Sequence, residues 1–219
     1  MEIKVMNKVL AANDAWAQEN RARLAKSGIL MVNLIGSPGA GKTALLEATL
    51  EHFRAKLTVG VIEGDIATTR DAERIAKKGV PVCQINTGTA CHLDANLVNG
   101  AILEISGTTK FDIIFVENIG NLVCPAEFDI GEHAKIAVLS VTEGDDKIEK
   151  YPLLFSQARA LVITKMALHP YTNFDLQVAQ AAFRKLNPLA PIFKVDSLKG
   201  DGLEPWVEFL SSMRRDALK

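Results

Sequence analysis

Eight consecutive residues, G-S-P-G-A-G-K-T, follow a short apolar run and open a stretch rich in alanine and leucine. They match G-x-x-x-x-G-K-[ST], the P-loop that joins a strand to a helix. Glycines in such a loop let backbone N–H groups face phosphate oxygens, and the helix N-terminus adds a partial positive charge. The pattern predicts a nucleotide-binding loop formed by Gly36, Ser37, Pro38, Gly39, Ala40, Gly41, Lys42 and Thr43.

The last two residues of the loop have side chains with separate roles. We expect the Lys42 ammonium to bind the β- and γ-phosphates and the Thr43 hydroxyl to bind Mg²⁺. The structural alternative is a glycine-rich turn that contains a lysine by chance. The strand before the loop and the helix after it argue against that alternative.

The remainder of the chain alternates apolar runs with helical patterns. This alternation predicts an α/β domain of the three-layer P-loop NTPase type, a mostly parallel sheet with helices on both faces. Ligands in such folds bind beyond the carboxyl ends of the strands. The predicted strands span 29–35, 58–63, 80–85, 111–117, 134–142, 159–164 and 191–195, and the helices after the P-loop span 44–50, 69–78, 92–105, 173–186 and 203–215.

A further helical pattern, at residues 4–26, precedes the first core strand. Apolar residues recur there at roughly helical spacing, and Ser27-Gly28 ends the pattern. We therefore divide the chain into an appended N-terminal helix at 1–28 and a nucleotide-binding domain at 29–219. We expect the helix to pack against its own domain.

Charge and composition narrow the class of protein. Lys and Arg number 25 against 26 Asp and Glu, so the chain has no basic field and we expect no nucleic-acid partner. No apolar run approaches the roughly 20 residues of a membrane span, and the first residues lack a signal-peptide core, which predicts a cytoplasmic protein without a membrane partner. Three cysteines do not suggest a disulfide framework, which leaves metal binding, redox chemistry or packing.

Acidic residues follow two of the apolar strands. Asp65 could coordinate Mg²⁺ or orient the attacking water, or it could cap the next helix. Glu117 resembles the second Mg²⁺-supporting acid of P-loop NTPases. The alternative is that Glu117 has no functional role and only makes the end of the strand more soluble. It opens E-x-x-G, where GTPases usually have D-x-x-G. We expect the N–H of Gly120 to bind the γ-phosphate and to move when that phosphate leaves.

Cys91-His92 and Cys124 form a second group of candidate ligands. Thiolate and imidazole together suit Zn²⁺ or Ni²⁺. Three ligands leave a fourth position open, or two chains share the metal. Cys124 follows Gly120 by four residues, so a metal there would be tied to the loop that senses the γ-phosphate. Buried structural cysteines are the alternative, and Cys83, inside an apolar strand, is expected in the core.

The strand at 159–164 leads into T-K-M-A, where GTPases have the guanine-specificity motif N-K-x-D. Lys165 is placed to lie along the base, and Thr164 replaces the amide. Ala167 has no carboxylate to accept hydrogen bonds from guanine, a loss of about 2–3 kcal/mol in guanine preference. Further on, D-S-L-K-G resembles the last base-contacting loop, in which Ser197 and the backbone of Leu198 face the base edge.

Several longer segments occur in a characteristic order after the P-loop. They are E-G-D-x-x-T-x-x-D-A-x-R-I at 63–75, T-G-x-x-C-H-L-D-A at 87–95, E-N-x-G-N-L-V-C-P-A at 117–126 and T-E-G-D-D-K at 142–147. Together they resemble the HypB family of hydrogenase nickel-incorporation GTPases, which is related to the urease accessory GTPase UreG. The resemblance covers nearly the whole chain, and its two cysteine-containing segments are the most specific.

The resemblance implies a GTPase metallochaperone that dimerises with nucleotide and binds nickel or zinc at the dimer interface. It also implies a HypA-type nickel chaperone as partner and the hydrogenase large subunit as target. Cys91, His92 and Cys124 match the family's interface metal ligands. The cysteine-rich N-terminal motif and the His-rich stretch of some members do not occur in these 219 residues. The T-K-M-A loop departs from the family pattern and leaves strict GTP specificity open.

Two alternative functions, from other classes of protein, stay open. One is an ATP-preferring or non-selective P-loop NTPase or kinase; a kinase needs an acceptor pocket and a lid with arginines, whereas the arginines here are scattered. The other is a non-catalytic metal-binding module.

Overall fold

The computed structural model describes residues 4–66, 68–107 and 109–217, with side chains from Ala11 onward. The described residues form one seven-stranded sheet in which each pair of neighbouring strands is parallel. The strands are β1 Leu30–Ile35, β2 Val59–Asp65, β3 Val82–Asn86, β4 Ile113–Glu117, β5 Ala134–Ser140, β6 Ala160–Thr164 and β7 Ile192–Lys194. Their order across the sheet is β3-β2-β4-β1-β5-β6-β7.

Helices cover both faces of this sheet. They are α1 Lys4–Ser27, α2 Lys42–Phe53, α3 Arg70–Ala76, α4 Ala95–Ser106, α5 Cys124–Glu127, α6 Lys147–Lys150, α7 Pro152–Gln157, α8 Leu176–Leu186 and α9 Leu203–Asp216, with a 3₁₀ helix at Met166–Tyr171. On one face α2 and α9 pack with sheet residues around Phe115 and Trp206. On the other face α1 and α4 pack beside α7 and α8. The predicted three-layer α/β architecture is confirmed, and the described sheet is parallel throughout.

Helix starts differ from the sequence prediction where an aspartate caps the helix. The helix predicted from residue 92 begins at Ala95, because the Asp94 carboxylate accepts the N–H of Leu97. Asp175 likewise caps α8, which begins at Leu176 rather than 173. The first of these caps matters for the site, since it leaves His92 in the same irregular loop as Cys91 rather than in the helix.

β1 lies at the centre of the sheet, between β4 and β5, and all six of its residues are buried. The chain leaves β1 into the P-loop, so this loop lies at the point where the strand order reverses. Ligands of open α/β sheets bind at this point, beyond the carboxyl ends of the strands. The ends of β2, β4 and β6 converge on the same edge and bring Asp65, Glu117 and Thr164 towards the P-loop.

The N-terminal helix packs against α4 and β1, as expected from the sequence. Two buried asparagines anchor it. Asn20 donates to the carbonyl oxygens of Ala95 (2.8 Å) and Ile130 (3.0 Å), and Asn13 accepts the Ala95 N–H at 2.9 Å. α1 is therefore joined to the end of the segment that carries Cys91 and His92 and to a residue shortly after the segment that carries Cys124. The domain division at residue 28 stays a prediction. Within the described ranges, no helix combines the length and apolar character needed to cross a membrane.

Candidate functional site

The P-loop is tightly wrapped and leaves no room for side chains at its first glycine. A Cβ atom on Gly36 would lie 2.5 Å from the carbonyl oxygen of Val138 on β5. Gly41 has φ +89°, a left-handed conformation that favours glycine. The Lys42 side chain is buried, with Nζ 3.4 Å from the carbonyl oxygens of Gly36 and Ser37. The loop thus surrounds one buried cation at the start of α2.

The structure brings the P-loop threonine and the acid of β4 into direct contact. The Thr43 hydroxyl donates to Glu117 Oε1 at 2.8 Å, and both side chains are buried. Asp65 lies at the end of β2, where it accepts the Ile66 N–H and the Thr68 hydroxyl. Thr69, not Asp65, occupies the N-cap position of α3. Asp65, Glu117 and Gly120 line a cavity of about 390 Å³ together with P-loop residues.

Glu63 belongs to this cavity, although the sequence reasoning assigned it no role. It lies directly opposite Glu117 on the neighbouring strand, and the two residues are only 2% and 3% exposed. Burial, and next the charge of Glu117, raise the pKa of Glu63 to about 10. Burial also raises the pKa of Glu117. One feature of the sequence could have identified Glu63: it is an acidic residue within an otherwise apolar predicted strand, one residue before Gly64.

The chemistry of this carboxylate pair fits a hard divalent cation. Within the described part of the chain, one oxygen of Glu63 and one of Glu117 are buried without a hydrogen-bond partner. Buried polar atoms in proteins are nearly always paired, so these two oxygens call for a ligand. An oxygen-only set that includes the Thr43 hydroxyl suits Mg²⁺.

The Cys/His cluster is assembled within one chain. One ligand atom from each of Cys91, His92 and Cys124 lies within 4.8 Å of the other two. The two sulfur atoms are 2.9 Å apart, and the His92 ring stacks on Phe128 with a centroid distance of 3.8 Å. Burial lowers the pKa of His92, which favours the neutral imidazole that binds metals. The hydrogen bond that the Cys124 thiol shares with Cys91 is the main cause that raises the pKa of Cys124.

Cys83 lies away from this cluster. It is half-buried and packs against the apolar residues beneath α4, in keeping with the expected core position. Burial raises the pKa of its thiol.

The loop after β4 connects the nucleotide side of the site with the Cys/His cluster. A Cβ atom on Gly120 would lie 2.7 Å from the Pro38 ring, so the Gly120 backbone rests on the P-loop. The next residue, Asn121, donates to the Cys91 carbonyl oxygen at 3.2 Å and accepts the Val123 N–H at 2.9 Å. One short segment therefore touches the P-loop and joins both cysteine-bearing segments.

A second connection lies deeper in the molecule. The Asn118 side-chain oxygen accepts the N–H of Leu93, the residue after His92, at 3.3 Å. The Leu93 side chain in turn packs on Gly64, where an added Cβ atom would lie 2.9 Å from it. The loop that carries His92 is thus in contact with the ends of both β2 and β4. Sequence reasoning found neither Asn118 nor Asn121, because these hydrogen bonds join residues about 25 to 30 positions apart.

The predicted base-contacting loops also lie beside the P-loop. The Thr164 hydroxyl donates to the Ala40 carbonyl oxygen, and Lys165 Nζ donates to that of Gly39, both at 2.6 Å. Ser197 is half-buried and Leu198 is 95% exposed. Asp196, to which the sequence reasoning gave no role, accepts the Ala167 N–H at 2.8 Å and joins the two loops.

Comparison with known proteins gives consistent similarities along the chain. Residues 30–194 match the family described as the CobW/HypB/UreG nucleotide-binding domain. The hydrogenase maturation factor HypB of Escherichia coli K12 is 44% identical over 214 residues, which are 98% of this chain and 72% of that protein.

Two solved structures are similar over nearly the whole fold. A crystal structure of HypB from Helicobacter pylori in complex with nickel has a TM-score of 0.89 and 40% identity, over 95% of this chain and 97% of that one. The crystal structure of HypB from Archaeoglobus fulgidus has a TM-score of 0.87 and 38% identity, over 94% of this chain and 100% of that one. The sequence similarity to both proteins therefore covers nearly the whole chain and is not limited to the P-loop.

Proposed function

This chain belongs to the CobW/HypB/UreG family and, within it, to the HypB hydrogenase maturation factors, and we propose that it couples GTP hydrolysis to nickel delivery. The observation that supports this most directly is the segment Gly120–Cys124. It rests on the P-loop at one end, carries a metal-ligand candidate at the other, and holds Cys91 through Asn121 between them.

The P-loop supplies the phosphate contacts of the proposed reaction. Lys42 is held inside the loop, where its charge would bind the β- and γ-phosphates, and the N-terminus of α2 would add backbone N–H donors for them. Thr43, Asp65 and Glu117, together with Glu63 opposite Glu117, are the residues that would hold Mg²⁺. The ion, when bound, neutralises charge that develops on the transferred phosphoryl group.

We assign Asp65 a second role, which is to orient the attacking water. Its carboxylate lies on the cavity wall at the end of β2, where it can accept a hydrogen bond from a water and orient that water towards the γ-phosphate. The water oxygen bonds to the γ-phosphorus as the bond to the bridging oxygen breaks, which leaves GDP and inorganic phosphate. The Gly120 N–H binds the γ-phosphate before cleavage and loses that contact afterwards.

The loss of that contact is the step that we link to the metal site. Gly120 lies against Pro38, so a shift of Gly120 also moves Asn121 and its hydrogen bonds to the two cysteine-bearing segments. The buried Asn118–Leu93 hydrogen bond transmits the same shift to the residue next to His92. The distance between the two sulfur atoms then differs between nucleotide states, and with it the affinity for the metal.

We propose Ni²⁺ as the cargo, with Zn²⁺ as the alternative metal. Two thiolates and one imidazole suit either ion and leave one of four tetrahedral positions open. A second copy of the chain can fill that position, which supports a homodimer with the metal at its interface. The Helicobacter pylori relative was solved in complex with nickel. A HypA-type chaperone as nickel donor, the hydrogenase large subunit as acceptor and the cytoplasm as the location complete the proposal.

The coupling is tested by measuring Ni²⁺ affinity with GDP and with a non-hydrolysable GTP analogue. Coupling free energies between sites are typically about 1–3 kcal/mol, so we expect the two affinities to differ by about fivefold or more. A ligand with equal affinity for both states shifts nothing, so equal Ni²⁺ affinities refute the coupling.

A variant pair tests the route of the coupling. Asn121→Ala removes the side chain that joins the two segments, and we expect it to reduce the difference in Ni²⁺ affinity between nucleotide states while GTP still binds. Asn96→Ala, an exposed position on α4, is the matched control and should keep the full difference. An unchanged difference in Asn121→Ala would rule out this route.

The alternatives predict other products. A kinase yields a phosphorylated acceptor, whereas the proposed switch yields free phosphate. A non-catalytic metal-binding module binds no nucleotide, which calorimetry detects directly. The buried Lys42 and the Thr43–Glu117 hydrogen bond support nucleotide binding over that module.

A further inference from the structure

Position 167 lacks the carboxylate that GTPases use to recognise guanine, and a carboxylate from another loop lies against it. We propose that Asp196 is the specificity-determining residue, supplying the acceptor for the N1–H and 2-amino groups of guanine. This inference rests on the proposed function, since it concerns the base of the nucleotide that the P-loop binds.

The position of Asp196 supports this role. Its Oδ2 accepts the Ala167 N–H at 2.8 Å, so the carboxylate touches the backbone of the residue that has only a methyl side chain. The same loop region meets the P-loop through Lys165, whose Nζ donates to the Gly39 carbonyl oxygen. The carboxylate of Asp196 therefore lies within the predicted base-binding region, in contact with the backbone of the position where GTPases have their aspartate.

The carboxylate is also held rigidly. Its Oδ1 accepts the N–H groups of Leu198 (3.2 Å) and Lys199 (3.0 Å), and the residue is only 5% exposed. A carboxylate fixed by its own loop and by the neighbouring loop loses little rotamer freedom when a base binds, which favours discrimination between bases.

The charge of Asp196 suits recognition of two donors. Burial acts to raise its pKa, but the backbone N–H groups of Ala167, Lys199 and Leu198 outweigh burial and hold the pKa below its ordinary value. The group is therefore ionised at neutral pH. A carboxylate offers about four lone-pair sites, and the three backbone N–H groups do not fill them all. Hydrogen bonds to a charged acceptor are stronger than neutral ones.

Comparing the binding of guanine, adenine and xanthine nucleotides distinguishes base recognition by Asp196 from a general effect of Asp196 on the structure of its loop. Adenine has no N1–H and no 2-amino group, and xanthine has a carbonyl where guanine has the 2-amino group. Asp196→Asn replaces one acceptor oxygen by a donor, which suits the xanthine carbonyl. We measure the affinities of GTP, ATP and XTP for the native chain and for Asp196→Asn by competition.

We expect the native chain to prefer GTP over ATP. Asp196→Asn should lower GTP affinity by about 10-fold to 100-fold, the effect of removing one or two hydrogen bonds to a charged group, while XTP affinity rises. The double variant Ala167→Asp/Asp196→Ser returns the carboxylate to position 167 and should recover GTP preference relative to Asp196→Ser. Asp201→Asn, an exposed acid in the same loop, is the matched control and should bind all three nucleotides like the native chain.

Two results would overturn the role of Asp196 but would leave the proposed coupling of hydrolysis to nickel delivery unaffected. One is equal affinity of the native chain for GTP and ATP. The other is an equal loss of affinity for all three nucleotides in Asp196→Asn, which assigns the residue to loop structure alone. Absence of any nucleotide binding by the native chain, in contrast, overturns the proposed function and this inference together.

Discussion

The buried Glu63–Glu117 pair predicts that the protein becomes more stable when one of its own carboxylates is removed. In Glu63→Gln a neutral amide of nearly the same size replaces an acid that is 2% exposed. The folded chain holds the proton of Glu63 up to a pKa of about 10, compared with an ordinary value of 4.5. The unfolded chain releases that proton at neutral pH, and this release favours unfolding.

The sign and magnitude follow from proton linkage. Between the two pKa values the folded state binds more protons than the unfolded state, so the contribution of Glu63 to stability falls as the pH rises through this window. At 1.36 kcal/mol per pKa unit, the penalty at pH 7 is about 3 kcal/mol, and at pH 5 it is about 1 kcal/mol. Glu63→Gln removes this titration.

Urea unfolding at pH 5 and pH 7 measures the effect, with nucleotide and Mg²⁺ left out because a bound cation displaces the proton. We expect Glu63→Gln to raise the free energy of unfolding relative to the native chain by about 2 kcal/mol more at pH 7 than at pH 5. Glu208→Gln, an exposed acid on α9, is the control and should show no such difference. The same stability change for Glu63→Gln at both pH values would refute the assignment of a neutral, buried Glu63.

Three further changes test the packing and the ligand chemistry. Asn20→Ala removes buried hydrogen bonds to two carbonyls and should lower the free energy of unfolding in urea by about 2–4 kcal/mol. Gly36→Ala places a methyl group against a β5 carbonyl and should weaken nucleotide binding at least about tenfold by calorimetry, whereas Gly100→Ala, with open space around it, should not. Cys124→Ser replaces a soft ligand and should weaken Ni²⁺ binding by calorimetry, whereas Cys83→Ser should leave it unchanged.

Each of these tests has an outcome that counts against its reasoning. Full stability of Asn20→Ala would mean that the anchoring of α1 does not depend on the buried hydrogen bonds. Native nucleotide affinity in Gly36→Ala would show that the P-loop can move away from β5. Equal Ni²⁺ binding in Cys124→Ser and the native chain would remove Cys124 from the ligand set.

The parts that sequence reasoning predicted are those determined locally. The alternation of strand and helix patterns predicted the three-layer architecture, and the P-loop pattern predicted where the centre of the site lies. Asp94 shifted one predicted helix start because capping by a single side chain outweighs periodicity at a helix end. The grouping of Cys91, His92 and Cys124 came from segment resemblance, and the structure shows these residues together.

The parts that sequence reasoning missed depend on which strands and loops become neighbours. Glu63 looked like one acid in an apolar strand until the pairing of β2 with β4 set it opposite Glu117. Asp196 had no visible role until the ends of β6 and β7 came together and it met the Ala167 N–H. Neither contact leaves a periodic signal, because each joins side chains that are distant along the chain.

The contacts of Asn118 and Asn121 also bear on the proposed coupling between nucleotide and metal. From the sequence, the proposed coupling depended on the three residues that separate Gly120 from Cys124, and such a link could move one sulfur atom only. In the structure Asn121 also holds the Cys91 carbonyl, and Asn118 holds the Leu93 N–H. The proposed movement of the loop after β4 would therefore act on all three ligand candidates. In the proposed switch, a change in the positions of all three ligand candidates would give the two nucleotide states different affinities for the metal, and only such a difference can shift the equilibrium between them.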